Sequence, residues 1–447
     1  MKVLILENRY KTYFWDAIAQ YLVSQGHEVS WIVQNPNFMP VHGRVTVLGF
    51  PRRGDLSAPD DAQGLGRVRA SDRHINYFGG HSAHYGYYKN AIWRALDAAE
   101  PDLVIGEATL FHELIAVEWC RLHEVSYFHP SMPGYPSGRY SIYLLDSKTA
   151  IPGASDIPSD EDCWLLAEAI RKRESIPDYM KPAPVNDQDR VYSPHGSLAN
   201  KVRLMLSYYK GERFNTPSPL RKFQLERVVK RNLASWAAVA VSKYSLQADV
   251  RYVLYPMQMQ PESNIDLWGQ QYRDQVGLIR EISSVLPAGW KVLVKLNPKA
   301  KYELTHELLD LIASNDKVIP VPFDMPMAPV FEAASLVCTV TGTVAVEAVL
   351  SRKPIVQFGP GILSGETGYA QITDVDGVAQ VIAQIEAKSF AVASDSERVA
   401  LVKKLYHYSF PGSISDPATS PAVLQANNVK VVADNLIRVA QTCGQKI

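Results

Sequence analysis

Thr341-Gly342-Thr343 places two hydroxyls around a glycine, between the apolar run Leu336–Val340 and the helix-forming run Ala345–Leu350. A further run, Pro354–Phe358, follows. Strand, tight turn, helix and strand in that order make a βαβ unit of parallel type. The turn of such a unit lies at the carboxyl edge of the sheet, where the amides of the helix start point outward beside the hydroxyls. A phosphate fits there. An ordinary βα turn capped by Thr343 is written with the same letters.

Two more reactive groups end apolar runs. Glu107 follows Asp102–Gly106, and His129 closes Val125–His129. Both fall at carboxyl ends of expected parallel strands, the edge where open α/β sheets place ligands. A helix-start charge and a half-buried histidine are the plainer accounts of the two. The stretch Pro130–Tyr143, PSMPGYPSGRYSIY, is stiffened by proline and carries tyrosines around one arginine. It is expected to be a loop that offers Tyr135, Ser137 and Arg139 to a polar ring, with Arg139 in a two-pronged grip on a carboxylate. A plain surface loop is the alternative. Asp178, in IPDYMKP, is a reserve carboxylate.

Two alternating series of strands and helices must position these groups. The first opens with strand Val3–Leu6, helix Tyr13–Gln25 stopped by Gly26, and strand Glu28–Val33. Glu7-Asn8-Arg9 stands where a dinucleotide fold carries GxGxxG, which argues against a dinucleotide. Residues 51–75 read as a mobile loop. Helices Asn90–Ala99 and Phe111–Leu122 flank the strand before Glu107. Segment 151–235 reads as an insertion with helix Asp162–Glu174 and two basic helices, Lys201–Tyr209 and Leu220–Ser235. Their cations could meet anionic lipid or a phosphorylated acceptor, or form a solvated face.

The second series begins near Ser242 with strand Arg251–Tyr255, helix 268–285 and strand Lys291–Leu296. Helix 303–313, strand Val318–Val321 and helix Ala328–Ala334 lead into Leu336. A closing helix, Ala422–Thr442, is apolar on one face and is expected to pack back across both domains. The expected architecture is α/β, with two doubly wound, Rossmann-like domains. The first is 1–243 with insertion 151–235, the second 244–420, and 421–447 closes the chain.

Composition narrows the functional classes. A chain of 447 residues exceeds one ordinary core and suits two domains. Apolar content of 47% with 21% charged residues marks a folded globular protein. The 46 basic residues balance 46 acidic ones, against wholesale nucleic-acid binding. Cys120, Cys163, Cys338 and Cys443 show no metal-ligand spacing and read as reduced thiols of a cytoplasmic protein. The apolar start is too short for a signal peptide. No run is long enough to span a bilayer, so membrane work is expected from the surface only.

Two such domains with a phosphate site in the second resemble the GT-B glycosyltransferases, whose domains face a central cleft. The likeness narrows over residues 245–360. YPMQMQPE, residues 255–262, resembles the glutamine-proline-glutamate motif of the bacterial capsule-synthesis transferases. These are the retaining β-Kdo transferases of capsule and lipopolysaccharide assembly (Kdo is 3-deoxy-manno-oct-2-ulosonic acid). Lys295-Leu296-Asn297-Pro298 is similar to their Lys-x-His-Pro, with Asn297 in place of the histidine and so unable to carry charge. Thr341, Gly342, Thr343 and Glu347 match their hydroxyl-rich turn before a helix bearing Glu.

The resemblance implies a CMP-sugar donor held by Gln258, Gln260, Glu262, Lys295, Asn297, Pro298, Thr341, Gly342, Thr343 and Glu347. It implies transfer of Kdo or another 2-ulosonic acid to a glycan or glycolipid acceptor. One phosphate needs one helix start and a few hydroxyls, so neither metal nor cofactor is expected. Glu107 would be the carboxylate near the anomeric carbon, with Asp178 and His129 in reserve and Tyr135, Ser137 and Arg139 on the sugar. The expected location is cytoplasmic, peripheral at the inner membrane through the basic helices 201–231, with no nucleic-acid partner. A UDP-sugar transferase or epimerase on the same fold, and a non-catalytic glycan-assembly partner, are the competing readings.

Overall fold

The computed structural model describes residues 1–56, 64–180, 202, 205, 206, 208, 209 and 213–443. Of the expected basic helix Lys201–Tyr209, residues Lys201, Arg203, Leu204 and Ser207 lie outside that set. The first strands are β1 (Lys2–Leu6), β2 (Glu28–Val33), β3 (Arg44–Val47), β4 (Leu103–Ile105), β5 (Ser126–Ser131) and β6 (Arg139–Leu144). They are followed by β7 (Arg251–Pro256), β8 (Trp290–Lys295), β9 (Val318–Pro320), β10 (Ala334–Thr339), β11 (Ile355–Gln357), β12 (Tyr369–Gln371) and β13 (Phe410–Pro411).

The chain divides into two compact units. One comprises 1–157, 177–221 and 405–447, the other 158–176 and 222–404. The sequence boundaries stood at 243/244 and 420/421. Helix Pro219–Lys243 ends at the first of these and runs instead across the observed division at 221/222, and only its second half buries side chains, at Asn232, Trp236 and Ala240.

The first unit holds one sheet in the order β13-β6-β5-β4-β1-β2-β3. Strands β1 to β5 pair in parallel, while β6 and β13 are antiparallel. Helix Thr12–Ser24 buries Phe14, Trp15, Ile18, Ala19 and Leu22, a stripe at helical spacing that faces the sheet. Gly26, at φ +82°, turns the chain after it. The closing helix Ala426–Cys443 contributes Val432, Ala433 and Leu436 to the same core as Val3, Ile5 and Trp15.

The second unit holds an all-parallel sheet in the order β12-β11-β10-β7-β8-β9. Its strands are apolar on both faces because helices cover both, and Val253, Val292, Val294, Leu336 and Val356 join one core with Ile279 and Ile382. The α/β, doubly wound expectation holds in each unit.

Three local expectations differ. The supposed mobile loop 51–75 contains helices Gly66–Ser71 and Arg73–Asn76, anchored by buried Leu65 and Val68. The supposed loop Pro130–Tyr143 finishes β5 and then makes β6, whose alternating Tyr140 and Ile142 enter the core. The helix expected over 268–285 starts only at Gln275, where Asp274 accepts from Gly277 N at 2.9 Å and caps it.

Candidate functional site

Both sheets are built in the same way. The chain lays three strands outward from the first, β1-β2-β3 or β7-β8-β9, then returns to the other side of that first strand with β4 or β10. The strand order therefore reverses between β1 and β4, and between β7 and β10. Connections leaving neighbouring strands diverge there, and a crevice forms outside their carboxyl ends.

At the β7/β10 reversal, Gln258 and Thr341 are bonded to each other. The Gln258 Nε2 amide donates to the Thr341 carbonyl, and Thr341 Oγ1 donates to Gln258 Oε1 at 3.0 Å. Gln275 holds the other side of Gln258: its Oε1 accepts from Gln258 N and its Nε2 donates to Gln258 O, both at 2.8 Å. The same Nε2 reaches Gln260 Oε1 at 3.2 Å. Gln260 N donates to Glu303 Oε2 at 3.1 Å, and its Nε2 donates to the Arg273 carbonyl at 3.0 Å. Burial pushes the Glu303 carboxyl above its ordinary value, against the pull of the backbone amides it accepts from. The two glutamines and Thr341 thus meet at one sheet edge, with most of their side-chain capacity satisfied inside the protein.

Lys295 and Glu347 are also engaged. Lys295 Nζ is buried and donates to the Phe323 carbonyl at 2.9 Å, and burial lowers its proton affinity. It fastens the loop after β9 to β8, where the sequence reading had a ligand contact. Glu347 pairs with Arg173 at 3.1 Å. Asn297 Oδ1 accepts from Lys299 N at 2.8 Å and shapes its own turn, which exposes Pro298. The Glu262 carbonyl accepts from Asp266 N at 2.9 Å and opens helix Ser263–Asp266. Gly342, at φ +109°, turns the chain into helix Val344–Leu350, and Thr343 sits at its start without making a side-chain cap. Simple capping by Thr343 is therefore not what this turn does.

The turn is crowded from one side by Gly359, which follows β11. A Cβ there would lie 2.7 Å from Thr341 Cγ2 and 2.8 Å from the Val340 carbonyl. Gly359→Ala is expected to displace the 341–343 turn and to lower stability by about 1–3 kcal/mol. A urea midpoint reads the loss, and nucleotide affinity measured on the folded fraction reads the displacement.

At the β1/β4 reversal, Lys11 Nζ is paired with Glu107, and Tyr127 donates its hydroxyl to the Glu107 carbonyl at 2.6 Å. Burial works against the Glu107 charge, but the Lys11 ammonium outweighs it and holds the carboxyl below its ordinary value. Glu113 is fully buried. It accepts from Thr109 N at 2.9 Å, Leu110 N at 2.8 Å and Asn8 Nδ2 at 3.2 Å. Burial and the nearby Glu107 charge push its carboxyl up. His129 lies buried on β5, and burial lowers its pKa to about 4, so it is a neutral ring at pH 7. Glu107, partly exposed, is the carboxylate that presents a stable negative charge at this edge.

The other sugar-side candidates have structural duties. The Arg139 guanidinium is buried. It grips Asp156 with both terminal nitrogens and donates from Nε to Ser409 Oγ at 2.9 Å and from Nη2 to the Ser409 carbonyl at 2.6 Å. It has no open fork for a ligand carboxylate. Asp178 Oδ2 accepts from Gly138 N at 2.8 Å and holds the β5–β6 hairpin turn. Tyr135 is buried in that turn and Ser137 is exposed.

Lys11, Glu113, Gln275 and Glu303 were not singled out from the sequence. Lys11 and Glu113 sit at helix starts directly after the two strand ends that form the reversal, a signal that becomes visible once the strand order is known.

No family model matches the chain, and no curated protein matches it. Solved structures do. The beta Kdo 2,7 transferase KpsC of Thermosulfurimonas dismutans aligns at 10% identity over 96% of this chain and 100% of that one, with a TM-score of 0.39. UDP-GlcNAc 2-epimerase from Neisseria meningitidis aligns at 12% identity over 98% and 100%, with a TM-score of 0.31. The epimerase of Methanocaldococcus jannaschii aligns at 14% identity over 90% and 98%, with a TM-score of 0.29. At such scores residue roles do not transfer from one chain to the other.

Proposed function

We propose that this chain is a glycosyltransferase that moves a 2-ulosonic acid, Kdo or a related nonulosonic acid, from a CMP-activated donor to a surface-glycan acceptor in capsule or lipopolysaccharide assembly. The observation that carries the reading is the Gln258–Thr341 pair, bonded across the β7/β10 reversal beside the turn that starts helix Val344–Leu350. A mononucleotide needs a rigid sheet edge with hydroxyls and outward amides for its phosphate, and the glutamine network supplies the rigidity.

In this reading Gly342 and Thr343 meet the phosphate directly. Gln258, Gln260, Lys295 and Thr341 hold the edge in shape. Glu107, kept ionised by Lys11, is the carboxylate offered to the reacting carbon as positive charge develops there. The donor is the only nucleotide required, and no resident metal or cofactor enters the scheme. Among the described residues no helix is long and apolar enough to cross a membrane.

Thermal melting with added nucleotides tests the reading. At about 100 times Kd, CMP or CTP adds about 2.7 kcal/mol, which raises the midpoint by about 5–10 °C for units of this size. UDP is expected to leave it unchanged. A UDP shift without a CMP shift would transfer the assignment to a UDP-sugar enzyme, and no shift with any nucleotide would leave a non-catalytic assembly partner. A panel of CMP-Kdo, CMP-sialic, CMP-pseudaminic and CMP-legionaminic acids, followed by CMP release, then names the sugar.

A further inference from the structure

We propose that Tyr127 and Gly106 are a positioning pair that fixes Glu107 in the orientation transfer requires. The inference rests on the reading of Glu107 as the carboxylate at the reacting carbon, and it names residues that act through it. Tyr127 stands on β5 opposite Val104 of β4 and is fully buried. Strand β4 ends at Ile105, and Gly106 N still donates to the Phe128 carbonyl at 3.1 Å. Glu107 lies one residue beyond. There the Tyr127 hydroxyl takes over from the ladder and donates to the Glu107 carbonyl at 2.6 Å.

The two residues are matched in space. A Cβ on Gly106 would lie 2.3 Å from the Tyr127 hydroxyl oxygen and 3.1 Å from Leu6 Cδ1. The phenol therefore crosses the bare side of the glycine, and a side chain there would push it off the carbonyl. Core packing alone asks only for the ring, which phenylalanine also supplies. The hydroxyl is the part that serves Glu107. Burial pushes its pKa well above the ordinary value, so it remains a donor across neutral pH.

The bond matters because the Glu107 side chain hangs from the peptide that it holds. The carboxylate pairs with Lys11, at the start of helix Thr12–Ser24. Asn8 in the turn after β1, Glu113 on helix Phe111–Leu122 and His129 on β5 also act on it. A peptide free to turn would carry the carboxylate away from the ammonium that keeps it ionised. Misplacing a reacting group by about 1 Å costs up to about a hundredfold in rate. Tyr127 and Gly106 touch neither donor nor reacting carbon in this reading; they act through Glu107.

The test compares Tyr127→Phe, Gly106→Ala and the double variant with the parent, using the whole protein. Each single change is expected to lower kcat about 10–100-fold, with the CMP-induced melting shift and the donor KM unchanged. The acid limb of kcat/KM should move to higher pH as the carboxylate draws away from Lys11. The double variant should lose no more than Tyr127→Phe alone, since the alanine acts through a hydroxyl that is already gone. Urea midpoints give the folded fraction to which these rates are referred. The Glu107 carboxyl is also titrated by isotope-edited NMR, identified by its absence in Glu107→Gln. Its midpoint should rise in both single variants, and this readout needs no transfer. Should one single variant not fold, the other carries the test. Full kcat with an unmoved Glu107 midpoint overturns the proposal, even if the urea midpoint falls. So does a double loss equal to the product of the single losses. Glu107→Gln separates the two readings: full transfer in that variant removes Glu107 from the chemistry, whereas its loss beside full transfer in Tyr127→Phe overturns the positioning pair alone.

Discussion

Glu107→Gln is expected to lower transfer by about a thousandfold or more while the nucleotide-induced melting shift survives. The amide keeps the shape of the side chain and loses its charge. If that charge faces the reacting carbon, the loss falls on the transition state, so kcat and kcat/KM drop together while donor affinity holds. An unchanged rate removes Glu107 from the chemistry.

Lys11→Met probes the same group from behind, with a different signature. The Glu107 carboxyl now titrates below its ordinary 4.5 because the Lys11 ammonium overcomes the effect of burial. The unfolded chain therefore binds this proton more readily than the folded one. The pair contributes stability above the ordinary carboxylate value, and that stability is lost as pH falls toward the depressed value. With methionine at position 11 the main charge that opposes burial is gone, and the carboxyl is expected to titrate higher than it does beside Lys11. The acid limb of kcat/KM should move to higher pH, and activity at neutral pH should be recovered in part by raising the pH. A merely structural Lys11 would lower stability and leave the limb in place.

The elements that carry these residues were readable because they repeat a simple pattern. Apolar runs such as Val3–Leu6, Val253–Tyr255 and Leu336–Thr339 are strands buried on both faces, and the polar residue that ends each one is a site candidate without further information. Thr341 and Glu107 were found in that way, whereas Gln258 came only from the resemblance of YPMQMQPE to a family motif. What could not be read is which side chains those residues touch. Gln275 comes from the start of a helix that the sequence placed too early, and its bonds to Gln258 and Gln260 follow from the capped start at Asp274. Lys295 ends its strand as expected, but its side chain turns to the loop after β9, because the Pro322 and Phe323 carbonyls lie within its reach. Periodicity reports which face is buried. It does not report whether a buried polar group faces a ligand or another part of the chain.

Arg139 makes that difference measurable. The sequence reading gave it a ligand's carboxylate, whereas its partners in the fold are Asp156, 17 residues on, and Ser409, 270 residues on. Strand β13 pairs with β6 at this point, Pro411 opposite Arg139, so the guanidinium clamps the returning chain against the edge of the first sheet. Arg139→Met leaves the Ser409 carbonyl without its side-chain donor, whereas the Tyr406 carbonyl keeps Ser409 N at 3.1 Å, and one such buried unpaired group costs about 1–3 kcal/mol. Asp156 adds little, because its side chain is 50% exposed and water replaces the lost partner. A loss of about 1–3 kcal/mol is expected, read as a urea midpoint, with KM for the donor unchanged on the folded fraction. The pH dependence gives a second check. The bond from Arg139 holds the Asp156 carboxyl below 3.8, so the pair stabilises the fold above that value and fades as pH falls below it. Removing Arg139 should flatten this acid limb. A raised KM with full stability would instead return Arg139 to the ligand.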